Sequence, residues 1–183
     1  MNVMIRSALA VATMTAAVFT AVTGTASATV DIPNTEIGLR ALSSDGGQCI
    51  RADPAQGSYI SDCLLWGSED NWHVYSAYPD APGGAYANVA IRSQRSGECL
   101  TVLNQIAQPA GFGNEVSPRP CNNSAAQEWA STRSADGYIN YFNFQYRVCL
   151  DGGYGDTYGF PENGCNAHGE NHYQDWYYLP AAV

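Results

Sequence analysis

The sequence predicts an all-β domain built from three copies of one unit, and three observations carry that prediction. Cysteines recur in phase at Cys49, Cys99 and Cys149, with spacings of 99 − 49 = 50 and 149 − 99 = 50 residues. Each is followed by an aliphatic residue (Ile50, Leu100, Leu150), then by a second cysteine (Cys63, Cys121, Cys165), then by a tryptophan (Trp72, Trp129, Trp176). Chance explains one such run, but not three in phase. Apolar residues alternate with a period of two between glycine-rich turns, and no stretch beyond the leader shows the 3.6-residue period of a helix.

The first 28 residues read as a secretory leader. Residues 1–7 carry one cation, Arg6, and residues 8–24 are apolar but rich in Ala and Thr. Ala26-Ser27-Ala28 supplies the small-x-small cleavage pattern. At about 17 residues the run is at the lower edge of a membrane span. Removal leaves 183 − 28 = 155 residues, a size suited to one domain. Export also implies an oxidising compartment, where six cysteines read as three disulfides. Residues 29–36, held extended by Pro33, precede the first unit as an N-terminal arm: a frayed end, or an arm that adds to a partner's sheet or enters a cleft.

Three units follow, over roughly residues 37–80, 85–133 and 137–180. Strands leading to each in-phase cysteine are expected in Ile37-Gly38-Leu39-Arg40-Ala41-Leu42, in Val89-Ala90-Ile91-Arg92, and from Tyr138 to Val148. In the last, Tyr138, Phe142, Phe144, Tyr146 and Val148 share one parity. Turn signals separate them at Asp45-Gly46-Gly47, Pro82-Gly83-Gly84, Ser96-Gly97, Asp136-Gly137 and Gly152-Gly153. A short helical turn is expected near residues 67–71. Six cysteines allow 15 connectivities. Repetition favours bridges within each unit, Cys49–Cys63, Cys99–Cys121 and Cys149–Cys165, each stabilising by about 3 kcal/mol.

Composition removes some function classes. The chain has 17 acidic residues, 8 arginines and no lysine. Without Arg6 the balance is 7 − 17 = −10, which repels phosphate backbones and anionic membranes. No nucleic acid partner and no membrane span are expected.

Two triplets sharpen the reading. Gln127-Glu128-Trp129 and Gln174-Asp175-Trp176 end the second and third units, while the first ends in Asp70-Asn71-Trp72. With the Cys-aliphatic pairs and the second cysteines, these residues resemble the ricin B-type lectin family, the Gln-x-Trp β-trefoils. The resemblance covers about residues 37–179. It implies a β-trefoil of three pseudo-symmetric repeats with three intra-repeat disulfides. Residues i and i+2 of a strand face one side, so each triplet reads first as a core Trp with a bracing Gln.

The family's sugar bowl takes an Asp after Cys-Leu, an aromatic residue two before the second Cys, and an Asn before Gln-x-Trp. A carboxylate binds vicinal hydroxyls strongly, and an aromatic face covers the C–H patch of a pyranose. In the first repeat these positions hold Arg51, Ser61 and Glu69. In the second they hold Thr101, Arg119 and Ala126, so neither copy can make the family's contacts. The third keeps Asp151, with Asn163 and Tyr173 at the other two positions and Tyr154, Tyr158 and Phe160 nearby. The resemblance thus implies degenerate pockets with at most one surviving sugar site, in the third repeat. Asp151 would be the acceptor, Tyr158 or Phe160 the platform, and Tyr173 and Gln174 the rim. The competing reading is that Asp151 caps the Gly152-Gly153 turn. One such site would bind at about millimolar.

Other chemistry is sparse. His168 and His172 are spaced i, i+4, which suits a metal only on a helix, and they sit in a Gly- and Asn-rich stretch. No metal, cofactor or catalytic set is expected. Three functions follow in order. The first is a secreted lectin-like module for a glycan or cell-wall carbohydrate. The second is a protein-binding trefoil serving as adaptor in a larger secreted toxin or antagonism complex. The third is a hydrolase inhibitor.

Overall fold

The computed structural model describes residues 30–39, 47–53, 57–63, 71–76, 87–108, 111–133, 136–162, 165 and 172–180. The leader expected over residues 1–28 lies outside them, as does the helical turn near residues 67–71 apart from Asn71. Among the described residues no helix is long and apolar enough to cross a membrane.

Among the described residues, twelve strands fall into three sets of four. The first set is β1 (Asp31–Leu39), β2 (Gln48–Asp53), β3 (Gly57–Asp62) and β4 (Trp72–Tyr75). The second is β5 (Ala87–Ser93), β6 (Cys99–Gln108), β7 (Gly111–Arg119) and β8 (Trp129–Arg133). The third is β9 (Ile139–Asn143), β10 (Val148–Asp151), β11 (Tyr158–Pro161) and β12 (Trp176–Pro180). In each set the middle strands pair as an antiparallel hairpin, β2–β3, β6–β7 and β10–β11. The outer strands pair with each other, β1–β4, β5–β8 and β9–β12. They also join the neighbouring set through β4–β5, β8–β9 and β12–β1. Six strands thus close into a barrel without a free edge, the condition that keeps a sheet from pairing with foreign strands. Disulfides join Cys49 to Cys63, Cys99 to Cys121 and Cys149 to Cys165, each within its own repeat.

The threefold relation extends to single atoms. Trp72, Trp129 and Trp176 are fully buried at the start of the fourth strand of each repeat. Their indole nitrogens donate to the carbonyls of Ile50, Leu100 and Leu150 at 3.0, 3.0 and 3.1 Å. Those acceptors are the aliphatic residues that follow the in-phase cysteines. The Cys-aliphatic and Trp signals therefore mark the two ends of one recurring contact between second and fourth strands.

Two expectations need correction. The arm at residues 29–36 is part of the barrel from Asp31 onward: Asp31 pairs with Tyr75 of β4, and Thr35 with Pro180 of β12. The first repeat therefore begins at Asp31, because β12 and β4 would otherwise present unpaired edges to water. The aromatic stretch from Tyr138 to Val148 is not one strand. It turns at residues 144–147 into β10, with Arg147 at φ +54°. β9 buries Ile139, Tyr141 and Asn143, so the aromatic parity faces out, leaving Phe144 56% and Tyr146 37% exposed.

Candidate functional site

The residue that follows each Cys-aliphatic pair is buried in all three repeats: Arg51, Thr101 and Asp151. In the third repeat Asp151 ends β10 and is only 4% exposed. Its Oδ1 accepts from the Gly153 amide at 2.8 Å, and its Oδ2 from Gln174 Nε2 at 2.9 Å. The Tyr158 hydroxyl also bonds this carboxylate. The sequence set is therefore partly assembled: Asp151, Tyr158 and Gln174 meet, and all three are buried. Phe160 and Tyr173 are half-buried. The Phe160 ring lies 6.2 Å from that of Tyr158. Asn163 lies outside the described residues. The Gly153 bond is the turn-capping contact, so this carboxylate braces its own loop.

Burial pushes the Asp151 carboxyl above the usual carboxylate range, against the pull of its bonds from Gln174, Gly153 and Tyr158. The folded state then holds the proton more tightly than the unfolded chain. Stability from this group is complete below the unfolded value and is lost as pH rises through the folded one. Relative to Asp151→Asn, the urea midpoint of the wild type is expected to improve as pH falls from about 7 to about 4. A pH-independent difference between the two proteins would contradict this.

The second repeat is different. A cleft of about 570 Å³ opens at the base of the β6–β7 hairpin, lined by Thr101, Glu115, Arg119, Asn122, Gln127 and Tyr146 among others. Its floor repeats the third-repeat brace, with Thr101 in place of Asp151. Gln127 Nε2 donates to Thr101 Oγ1 and to the Pro120 carbonyl, both at 3.0 Å, while its Oε1 accepts from the Asn122 amide at 2.9 Å. Thr101 Oγ1 in turn donates to the Cys99 carbonyl at 2.7 Å. The floor is thus internally satisfied, and Ala126 and the exposed Arg119 leave the space above it open.

Within the repeat, Thr101, Arg119 and Ala126 lack the family's contacts, and a further lining residue, Tyr146, is supplied from outside it. Tyr146 comes from the turn between β9 and β10, in the next repeat. The signal was the alternating aromatic run, which marks an exposed face once the turn at residues 144–147 is recognised.

In the first repeat Arg51 is buried and its Nη2 donates to the Asp62 carbonyl. Among the described residues, Glu36, Cys49 and Cys63 form the one grouping of metal-ligand types, and both sulfurs belong to a disulfide. His168 lies outside the described residues. His172 pairs instead with Asp175 through Nδ1 at 2.9 Å.

No protein-family model and no curated protein matches the chain. Solved structures do. The designed threefold-symmetric protein ThreeFoil superimposes at a TM-score of 0.57 and 16% identity, covering 79% of this chain and 96% of that one. SeviL bound to asialo-GM1 saccharide gives 0.57 at 15% identity, covering 82% and 98%. The Polyporus squamosus lectin, bound to a human-type influenza-binding epitope, gives 0.59 at 11% identity. It covers 80% of this chain, which spans about half (48%) of that lectin's length. Identities this low speak to architecture. Together with the twelve strands, the closed barrel and the three equivalent indole contacts, they establish that the chain is a β-trefoil.

Proposed function

We propose that this chain is a secreted, non-enzymatic glycan-binding trefoil module, and that the second-repeat cleft is its principal binding site. One observation carries the reading. An open, polar cleft of about 570 Å³ sits where Thr101, Arg119 and Ala126 occupy the three bowl positions of the repeat. A monosaccharide fits such a volume, and a mixed lining of donors and one aromatic ring is the chemistry that orients sugars. Lectins among the structural neighbours add support by fold analogy.

The third-repeat cradle is a weaker second site. Phe160 and Tyr173 supply a platform and rim, and sugar hydroxyls must replace Gln174 or Gly153 as donors to Asp151. Exchanging one bond for another gains little, so affinity there stays at about millimolar or weaker.

Immobilised glycans from several classes, probed with the whole exported protein, test the proposal. Binding is expected to at least one class, and Ala126→Trp, which fills the second cleft, is expected to reduce it more than tenfold. Absence of binding at about millimolar ligand by saturation-transfer NMR would sink the reading. A protein-docking role in a larger secreted complex is favoured by one observation: Phe144 is exposed beside Phe142, with ring centroids 5.0 Å apart. In that case Phe144→Ser would abolish co-purification of a partner while leaving sugar binding intact.

A further inference from the structure

We infer that the second-repeat cleft selects a carboxylate-bearing pyranose, held by the Arg119 fork and stacked on Tyr146 from the neighbouring repeat. This rests on the glycan-binding reading and adds the ligand's chemical class and the source of the platform.

Arg119 ends β7 at the cleft wall. Its Nη1 donates to the Pro118 carbonyl at 2.9 Å and to Ser117 Oγ at 3.3 Å. These bonds hold one corner of the guanidinium to its own strand. Glu115, which also lines the cleft, forms an ion pair with Nη2 at 3.8 Å, beyond hydrogen-bond length, with both side chains about half exposed. Arg119 lines the cleft, and its Nη2 makes no hydrogen bond to the described residues. A planar fork of this kind matches a carboxylate bidentately, and matches a single hydroxyl poorly. The floor points the same way. At the bowl position that would hold the acceptor carboxylate of a neutral-sugar site, this cleft has Thr101, whose hydroxyl is committed on both sides, and its one lining carboxylate, Glu115, stands beside Arg119 on the wall.

The platform is held in place from below. Asn143 is fully buried, and its Nδ2 donates to the carbonyls of Ala125 and Glu128 at 2.8 and 2.9 Å. Those carbonyls belong to the first residue of the 3-10 turn Ala125–Gln127 of the second repeat and to the residue that follows it. Oδ1 of the same Asn143 accepts from the Tyr146 amide at 3.0 Å. One side chain therefore ties the turn that carries Tyr146 to the turn that carries Gln127. This sets an aromatic residue at the cleft without one at the family's position, which Arg119 occupies.

Calorimetric titrations of the full exported protein with methyl glucuronide, methyl glucoside, methyl N-acetylneuraminide and methyl galactoside test the inference. The acidic glycosides are expected to bind at least tenfold more tightly than their neutral counterparts. That preference should shrink when salt rises from about 0.05 to about 0.5 M. Arg119→Gln should erase the preference, and Arg119→Lys should restore only part of it, because charge without the fork is retained. Tyr146→Ala should weaken acidic and neutral ligands alike, with the melting midpoint unchanged. Equal affinity for acidic and neutral glycosides, or an unaltered preference in Arg119→Gln, overturns the inference while leaving a glycan module standing. Binding of none of the four overturns the inference, and only failure on the wider glycan panel overturns the glycan reading too.

Discussion

Trp129→Ala is expected to lower the free energy of unfolding by about 3–5 kcal/mol, and Trp72→Ala and Trp176→Ala by similar amounts. All three indoles are fully buried, and each ties the fourth strand of its repeat to the carbonyl after the in-phase cysteine. Truncation removes the largest apolar side chain of the repeat and also leaves a buried carbonyl without its donor. Domains have only about 5–15 kcal/mol in total, so one substitution takes a large fraction. Trp129→Phe separates the two parts. It keeps most of the ring's area but orphans the Leu100 carbonyl, at a cost of about 1–3 kcal/mol. Equilibrium urea unfolding of the three alanine variants checks the claim. If one of them costs under about 1 kcal/mol while the others cost several, the indole contacts are not equivalent and the threefold energetic symmetry fails.

Those indoles also explain why the fold was readable. Period-50 cysteines, their aliphatic followers and the three tryptophans are all parts of one contact made three times. A feature under the same steric constraint in every repeat leaves the same residues in every repeat. What escaped reading depends on junctions. β1 begins at Asp31 because its partners are β4 and β12, one of them at the far end of the chain, and no local pattern announces that. The aromatic run before Cys149 alternates, but alternation gives two faces and does not say which is inward. Ile139, Tyr141 and Asn143 won the core. Gly152 reads as a turn residue, and it precedes a 3-10 turn. A β-carbon there would also lie 2.7 Å from Leu39 and 2.9 Å from Trp176, so the position is as much about packing as about turning. Ala52 and Val102, at the same step after Cys49 and Cys99, are buried too, and there the core has room for them.

The site was less legible than the fold for the same reason. A cradle position can be checked within a repeat, and by that test the third repeat, with Asp151, looks best. Whether its carboxylate faces ligand or loop depends on Gln174, Gly153 and Tyr158, which all turn toward it. Whether the second cradle has an aromatic wall depends on Tyr146, which belongs to another repeat.

Removing one bridge joins stability to the site. A Cys99→Ala/Cys121→Ala double variant opens a loop of 22 residues and is expected to lose about 3 kcal/mol. Cys49→Ala/Cys63→Ala opens one of 14 residues, for which the chain-entropy model gives nearly the same loss. Their effects on the second cleft should nevertheless differ. Cys121 lies between Pro120, whose carbonyl accepts from Gln127, and Asn122, whose amide donates to it. Arg119 is two residues before it. The Cys99–Cys121 bridge therefore anchors the stretch that holds both the guanidinium and the floor of the cleft, whereas Cys63 follows β3 in another repeat. At a temperature where both variants remain folded, the first is expected to bind methyl glucuronide at least tenfold more weakly than wild type, and the second to bind it equally. A preorganised wall loses affinity when it must be ordered on binding, and a remote loop does not. Parallel losses of affinity in the two variants would mean that the bridge acts only through global stability, and that the cleft is not held in shape from Cys121.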